Sequence, residues 1–216
     1  MSARQQKLAQ ARLYLVCDAR PDAFLHAAME GGVDLVQLRC KDLDDDEVLR
    51  AAERFKAICA EHDVLFVVND RPDLALKADA DGVHVGQDDT PVAEARELLG
   101  AQRIIGLSTH TPQQVDAARQ QPVDYIAVGP VYETPTKPGR PAVGLELVSY
   151  AAARATVPFF AIGDINLDNA DTVAAAGAER IVVVRALTQA DDPRNVAERL
   201  RAAVTRARQH VGSAQS

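Results

Sequence analysis

Arg39 and Lys41 stand two positions apart, directly behind a short apolar run. In extended backbone, alternate residues face one side. Two cations so spaced can grip a phosphate or diphosphate through charge-assisted hydrogen bonds. The plainer alternative is one salt bridge and one solvated lysine. Asp70 and Asp89 follow the next two apolar runs. Facing a diphosphate, such a pair holds Mg2+, with waters and phosphate oxygens completing the shell. Equally, Asp70 can cap a helix opening near Pro72, and Asp88 or Asp89 one opening near Pro91. Thr134, Thr136 and Lys137 lie in a proline-rich stretch and suit an anionic ligand, or an ordinary surface loop. Ser108 lacks a Gly-x-Ser-x-Gly elbow and reads as a hydrogen-bonding serine instead of a nucleophile. His84 lies inside an apolar run and reads as a core or lining residue, while His26, His62 and His210 read as helix-surface residues. His110 has no His or Cys at ligand spacing, and Cys17 and Cys40 have no evident base.

These side chains need a scaffold that brings chain-distant segments to one place. Eight β-rich apolar runs recur, at 13–18, 35–39, 65–69, 82–86, 104–108, 125–129, 159–163 and 180–185. They show little alternation, as strands buried on both faces of a parallel sheet do. Helical patterns separate them. Val48, Ala51, Ala52, Phe55, Ile58 and Cys59 recur at helical spacing behind the acidic start 44–47, and Val196, Leu200 and Val204 mark a last helix. Thr111 before Pro112 and Asp192 before Pro193 are expected N-caps. Eight strand–helix units predict a single-domain α/β fold, a closed (β/α)8 barrel. An open doubly wound sheet is the alternative, but GxGxxG and GxxxxGK[ST] are both missing. The barrel is expected over 13–210, with an extension at 1–12 and a tail at 211–216. Active sites of such barrels form at the C-terminal strand ends. Those ends carry most of the residues above, with Gly163-Asp164 and Val184-Arg185 at the last two turns, where barrels often bind phosphate. The stretch 130–143 holds four prolines, Pro130, Pro135, Pro138 and Pro141. A loop of that length in a compact domain is commonly functional.

Composition narrows the class. The 216 residues are 47% hydrophobic and 25% charged, which is globular. No run reaches the ~18 apolar residues of a membrane span, and the polar start carries no signal core. A net charge of −7 disfavours a general nucleic-acid binder. The odd count of three cysteines, without CxxC, argues against disulfides or zinc and fits a reducing cytoplasm. Small-molecule partners are expected, and the oligomeric state stays open.

Five segments, in order and each behind a strand, carry a resemblance. They are Gln37-Leu-Arg39-x-Lys41, Val68-Asn69-Asp70, Gly82-Val-His84-Val-Gly86-Gln87-Asp88-Asp89, Gly106-Leu-Ser108-Thr-His110 and Gly129-Pro130-x-x-x-Thr134-x-Thr136-Lys137. Together they resemble the thiamine-phosphate synthase family over about residues 13–200. The resemblance implies a (β/α)8 transferase that joins hydroxymethylpyrimidine diphosphate to thiazole phosphate, or its carboxylated form. Thiamine phosphate and pyrophosphate would leave, with carbon dioxide in the second case. It implies that Gln37, Arg39, Lys41, Asn69 and Lys137 bind the pyrimidine diphosphate and that Asp70 and Asp89 hold Mg2+. Ser108 would lie at the pyrimidine, so that Ser108 and Lys137 are the two expected at the reacting centre. Thr134 and Thr136 would face the thiazole, and the turns at Gly163-Asp164 and Val184-Arg185 would take its phosphate.

Two positions depart from the family pattern. Asp164 stands where a glycine is usual, adding negative charge and losing freedom at positive φ. Arg185 stands where serine is common, and could bind phosphate or pair with Asp164. Cys40 replaces a commonly acidic residue. The rival activities are a thiazole tautomerase on the same barrel, which would not need the diphosphate set, and a non-catalytic barrel that binds thiamine phosphate.

Overall fold

The computed structural model describes residues 2–134 and 141–213, with side chains as far as residue 206. Eight parallel strands close into a barrel in sequence order, β1 (Leu13–Cys17), β2 (Leu35–Leu38), β3 (Leu65–Asn69), β4 (Gly82–Val85), β5 (Ile104–Thr109), β6 (Tyr125–Val128), β7 (Phe159–Ile162) and β8 (Ile181–Val183), with β8 pairing back onto β1. Most end one residue before the apolar run does, because the last residue turns into the following loop. The eighth is trimmed most. Val184 leaves strand geometry at φ −123, ψ −83, and Arg185 opens a four-residue helix instead of ending a strand.

Helices α2 (Asp22–Glu30), α3 (Asp45–Glu61), α4 (Pro72–Lys77), α5 (Val92–Leu99), α6 (Pro112–Ala118), α7 (Gly144–Arg154) and α8 (Ala170–Ala175) each return the chain after a strand. Behind β8 come α9 (Arg185–Thr188) and α10 (Pro193–Ser213), so helix continues into the segment expected as a tail. The starts follow the sequence signals. Asp44 and Glu47 form a reciprocal capping box on α3. Thr111 Oγ1 accepts from the Gln114 amide at 3.2 Å, and Asp192 Oδ1 from the Asn195 amide at 3.0 Å.

Strand alternation divides the apolar residues into two cores. Leu13, Leu15, Val36, Phe66, Val83, Ile105, Ile126 and Ile181 face outward and pack under the helices. Tyr14, Val16, Leu35, Leu65, Val67, Ile104, Tyr125, Phe160 and Val182 face inward and fill the barrel. Helix α1 (Ala3–Gln10), in the expected extension, adds Leu8 to the inner cluster.

One clip recurs three times at the N-terminal strand ends. Asp34, Asp81 and Asp124 immediately precede the strands β2, β4 and β6. Each donates its amide to a carbonyl of the preceding strand, Leu13, Phe66 and Ile105 respectively, at 2.8 Å. Each carboxylate accepts the amide of that same residue at 3.1, 2.9 and 2.8 Å. Each also meets an arginine, Arg201, Arg4 and Arg96. The clips fix the register between strand pairs.

Inside the barrel, Gly106 makes room for a ring. A Cβ there would fall 2.1 Å from Tyr125 Cζ, inside a fully buried side chain. Gly106→Ala is therefore expected to cost about 1–3 kcal/mol by overpacking. The midpoint of urea unfolding checks it, and an unchanged midpoint would contradict this packing.

Candidate functional site

A cleft opens at the C-terminal end of the barrel, enclosing about 870 Å³ of empty space including its open mouth. Inward parity delivers its floor: Tyr14 from β1, Gln37 from β2, Asn69 from β3, His84 from β4, Ser108 from β5, Ala127 from β6, Ile162 from β7 and Val182 from β8. Arg39, two residues past Gln37, keeps the same side and also lines the cleft.

Of the residues expected at the site, the cleft gathers Gln37, Arg39, Asn69, Ser108, Thr134, Gly163, Asp164, Val184 and Arg185. Lys41, Asp70 and Asp89 do not line it. They follow β2, β3 and β4 at the same end of the barrel, with Lys41 and Asp89 exposed. Thr136 and Lys137 lie outside the described residues.

The helix-cap alternative for the two carboxylates does not hold. The N-caps of α4 and α5 are Arg71 and Pro91, without side-chain caps. Asp89 Oδ2 instead accepts the Gly86 amide at 2.8 Å, which orients the carboxylate. Asp70 sits at φ 61, its amide donating to His84 O of the neighbouring strand at 2.8 Å. Two carboxylates from hydrogen-bonded strands are hard oxygen donors, the type Mg2+ prefers when water and phosphate oxygens supply the rest. Among the described residues, no group of three or more His, Cys, Asp or Glu could form an all-protein metal cage.

The turn after β7 is built around an aspartate. Gly163 takes φ 123, where a Cβ would strike Val131 N at 2.4 Å. Asp164 follows at φ 49, a left-handed conformation that aspartate tolerates better than most residues. Its carbonyl accepts from Asn169 Nδ2 at 2.9 Å and Asn166 Nδ2 at 3.2 Å. Its carboxylate takes the Arg185 guanidinium at 2.5 Å, so the pairing expected from charge is present. Both side chains are about one-third exposed in the cleft wall.

The floor carries a chain of buried polar groups. Gln37 Nε2 hydrogen-bonds Tyr14 Oη. Tyr14 Oη lies 3.0 Å from Tyr125 Oη, which lies 3.0 Å from His84 Nδ1. His84 Nε2 lies 2.9 Å from Ser108 Oγ. Burial pushes both phenols above their usual range, so both stay protonated. His84 is buried as expected, with partners on both ring nitrogens. The two tyrosines were not legible as site residues. The available signal was a phenol at an inward strand position, since a buried Tyr hydroxyl needs a partner. Burial raises the Cys17 thiol well above its ordinary value, which leaves it protonated and a poor nucleophile. No helix among the described residues is long and apolar enough to cross a membrane.

Comparisons with known proteins agree with this fold. The family model for thiamine monophosphate synthase matches residues 13–187. The thiamine-phosphate synthase of Acidothermus cellulolyticus is 53% identical, over 88% of this chain and 93% of its own length. That of Nostoc punctiforme is 50% identical over 91% of this chain, which spans only 57% of that longer relative. Among solved structures, thiamine phosphate pyrophosphorylase from Pyrococcus furiosus superposes with a TM-score of 0.84 at 32% identity, covering 94% of this chain and 98% of that one. A chain matched by the family model over most of its length, and half identical to several of the enzymes that carry the name, belongs to the thiamine monophosphate synthase family.

Proposed function

We propose that the chain condenses 4-amino-2-methyl-5-hydroxymethylpyrimidine diphosphate with thiazole phosphate, or its carboxylated form, to give thiamine phosphate. The observation that carries this is the convergence of Gln37, Arg39, Asn69 and Ser108 with the Asp164–Arg185 turn in one cleft. The amide and cationic groups suit the pyrimidine diphosphate, and the turn suits the second substrate's phosphate. Pyrophosphate departs with the carbon–oxygen electron pair. The lone pair of the thiazole nitrogen then closes the carbon–nitrogen bond on the pyrimidinylmethyl cation; when the thiazole is carboxylated, carbon dioxide leaves and a proton from water takes its place on the ring carbon. That sequence of bonds requires no general base.

Asp70 and Asp89 would hold Mg2+, which when bound offsets negative charge growing on the departing pyrophosphate. Arg39, Lys41 and Lys137 would add fixed positive charge, and Thr134 and Thr136 would face the thiazole. Holding both substrates in one cleft supplies the remaining advantage.

Pyrophosphate release is expected only when pyrimidine diphosphate, thiazole phosphate and Mg2+ are all present. Asp70→Ala should lower release at fixed Mg2+ by about 10²-fold, the size of losing one element of charge stabilisation. No release by folded protein, together with isomerisation of the carboxylated thiazole, would favour the tautomerase instead.

Asp164 and Arg185 act on the second substrate as a unit. An arriving phosphate competes with the Asp164 carboxylate for the guanidinium. Arg185→Ser should raise KM for thiazole phosphate about tenfold, corresponding to ~1.4 kcal/mol. Asp164→Gly should lower it, by releasing the guanidinium and relieving φ 49. Contacting groups couple, so the double variant is expected to depart from the product of the single effects. Simple multiplication of the two would refute the coupling.

A further inference from the structure

The buried chain on the cleft floor has a direction, and the direction follows from proton counting. Gln37 Nε2 can only donate, so Tyr14 Oη accepts there. The single Tyr14 proton is then directed to Tyr125 Oη, 3.0 Å away. Tyr125, having accepted one bond, directs its own proton to His84 Nδ1 at 3.0 Å. An imidazole that accepts at Nδ1 carries its proton on Nε2 when neutral. Nε2–H therefore donates to Ser108 Oγ at 2.9 Å. The serine proton is left to point elsewhere, and Ser108 lines the cleft.

A chain running in this order does not activate the serine. A general base must accept the serine proton at the nitrogen facing it. In this order that nitrogen already carries the ring proton, and the group behind the ring is a phenol, where a base-orienting carboxylate would be needed.

We propose that Tyr14, Tyr125 and His84 are positioning residues that fix Ser108 as a hydrogen-bond donor toward the heterocyclic substrate. The proposal rests on the reading that the pyrimidine lies at Ser108. A ring nitrogen with a free lone pair accepts the proton that Ser108 offers. An oxo ring bearing N–H at that edge meets a donor with a donor. A site built to hydrogen-bond its substrate rejects a mismatched analogue strongly, because its own polar groups lose their partners.

Two measurements test the proposal. The first is the tautomer of His84 in ligand-free protein, read by long-range 1H–15N correlation with 15N-labelled histidine and assigned by loss of the signal in His84→Gln. A neutral ring protonated at Nε2 is expected, and Tyr125→Phe should abolish that preference. A ring protonated at Nδ1, or a tautomer indifferent to Tyr125→Phe, would overturn the proposal whatever the reaction catalysed. The second is a kinetic cycle. Tyr125→Phe should raise KM for the pyrimidine diphosphate about tenfold, ~1.4 kcal/mol, and leave KM for thiazole phosphate unchanged. In a Ser108→Ala background the same substitution should have no further effect on KM, because its influence passes through the serine. Independent effects of the two substitutions would reduce Tyr125 to a packing role and refute the proposal. Should Tyr125→Phe fail to fold, Tyr14→Phe breaks the chain one step earlier and carries the same expectations. A wild-type protein with no turnover of the pyrimidine diphosphate would fail the functional reading alone, since the tautomer still reports the chain.

Discussion

Two phenol hydroxyls meet at 3.0 Å in the middle of the barrel, and the site is organised around that contact. Neither group reaches solvent, for Tyr14 is 1% and Tyr125 0% exposed. A buried hydroxyl without a partner costs on the order of 1–3 kcal/mol. Each phenol must therefore be satisfied by another polar group inside an otherwise apolar core. The requirement spreads outward from the pair to Gln37 on one side and to His84 and Ser108 on the other. Five strands supply one continuous set of hydrogen bonds, and the arrangement is tolerable because every member has a partner.

Packing makes the contact possible. Tyr14 stands edge-on to both Tyr125 and Phe160, with ring centroids 5.9 and 5.5 Å apart. Tyr125 reaches this cluster because β5 presents a glycine, Gly106, beside it. Leu35, Leu65 and Ile104 belong to the same inner cluster. The inner residues thus combine aliphatic side chains and a cluster of aromatics with the polar cleft floor. The chemistry occupies the level at which the inward strand positions change from aliphatic to amide, imidazole and hydroxyl.

Much of this was legible in the sequence. Apolar runs without alternation gave the parallel strands, and the acidic start at 44–47 with the cap signals at Thr111 and Asp192 gave helix starts. Residues just behind each run gave the rim, because a parallel barrel sends every such position to one end. The illegible parts depend on distance across the barrel. Tyr14 and Tyr125 are 111 positions apart and face each other only after closure. Inside one strand, a tyrosine reads as an ordinary β-former. Asp164 was read as a handicap at positive φ. Its cost is offset by Arg185 on its carboxylate, a pairing the charges suggested, and by two asparagine amides on its carbonyl, which local spacing does not show. The separation of Lys41, Asp70 and Asp89 from the cleft lining was equally hidden, since strand order places a residue at the rim without saying how far in its side chain reaches.

The aspartate clips at Asp34, Asp81 and Asp124 divide the molecule's tolerance for change. They hold the strand register from the end opposite the cleft, and no residue of the cleft takes part. Lengthening a surface loop costs little chain entropy, roughly 0.6 kcal/mol per doubling. The connections behind β6 or β7 can thus grow or shrink over evolutionary time while the strands stay aligned beneath them. A single residue inserted between Asp34 and Leu35 has a different outcome. It would carry the carboxylate off the Leu13 amide and turn each inward side chain of β2 outward, removing Gln37 from the cleft. New substrates are therefore accessible to this scaffold through its upper loops, whereas its lower turns admit almost no variation in length.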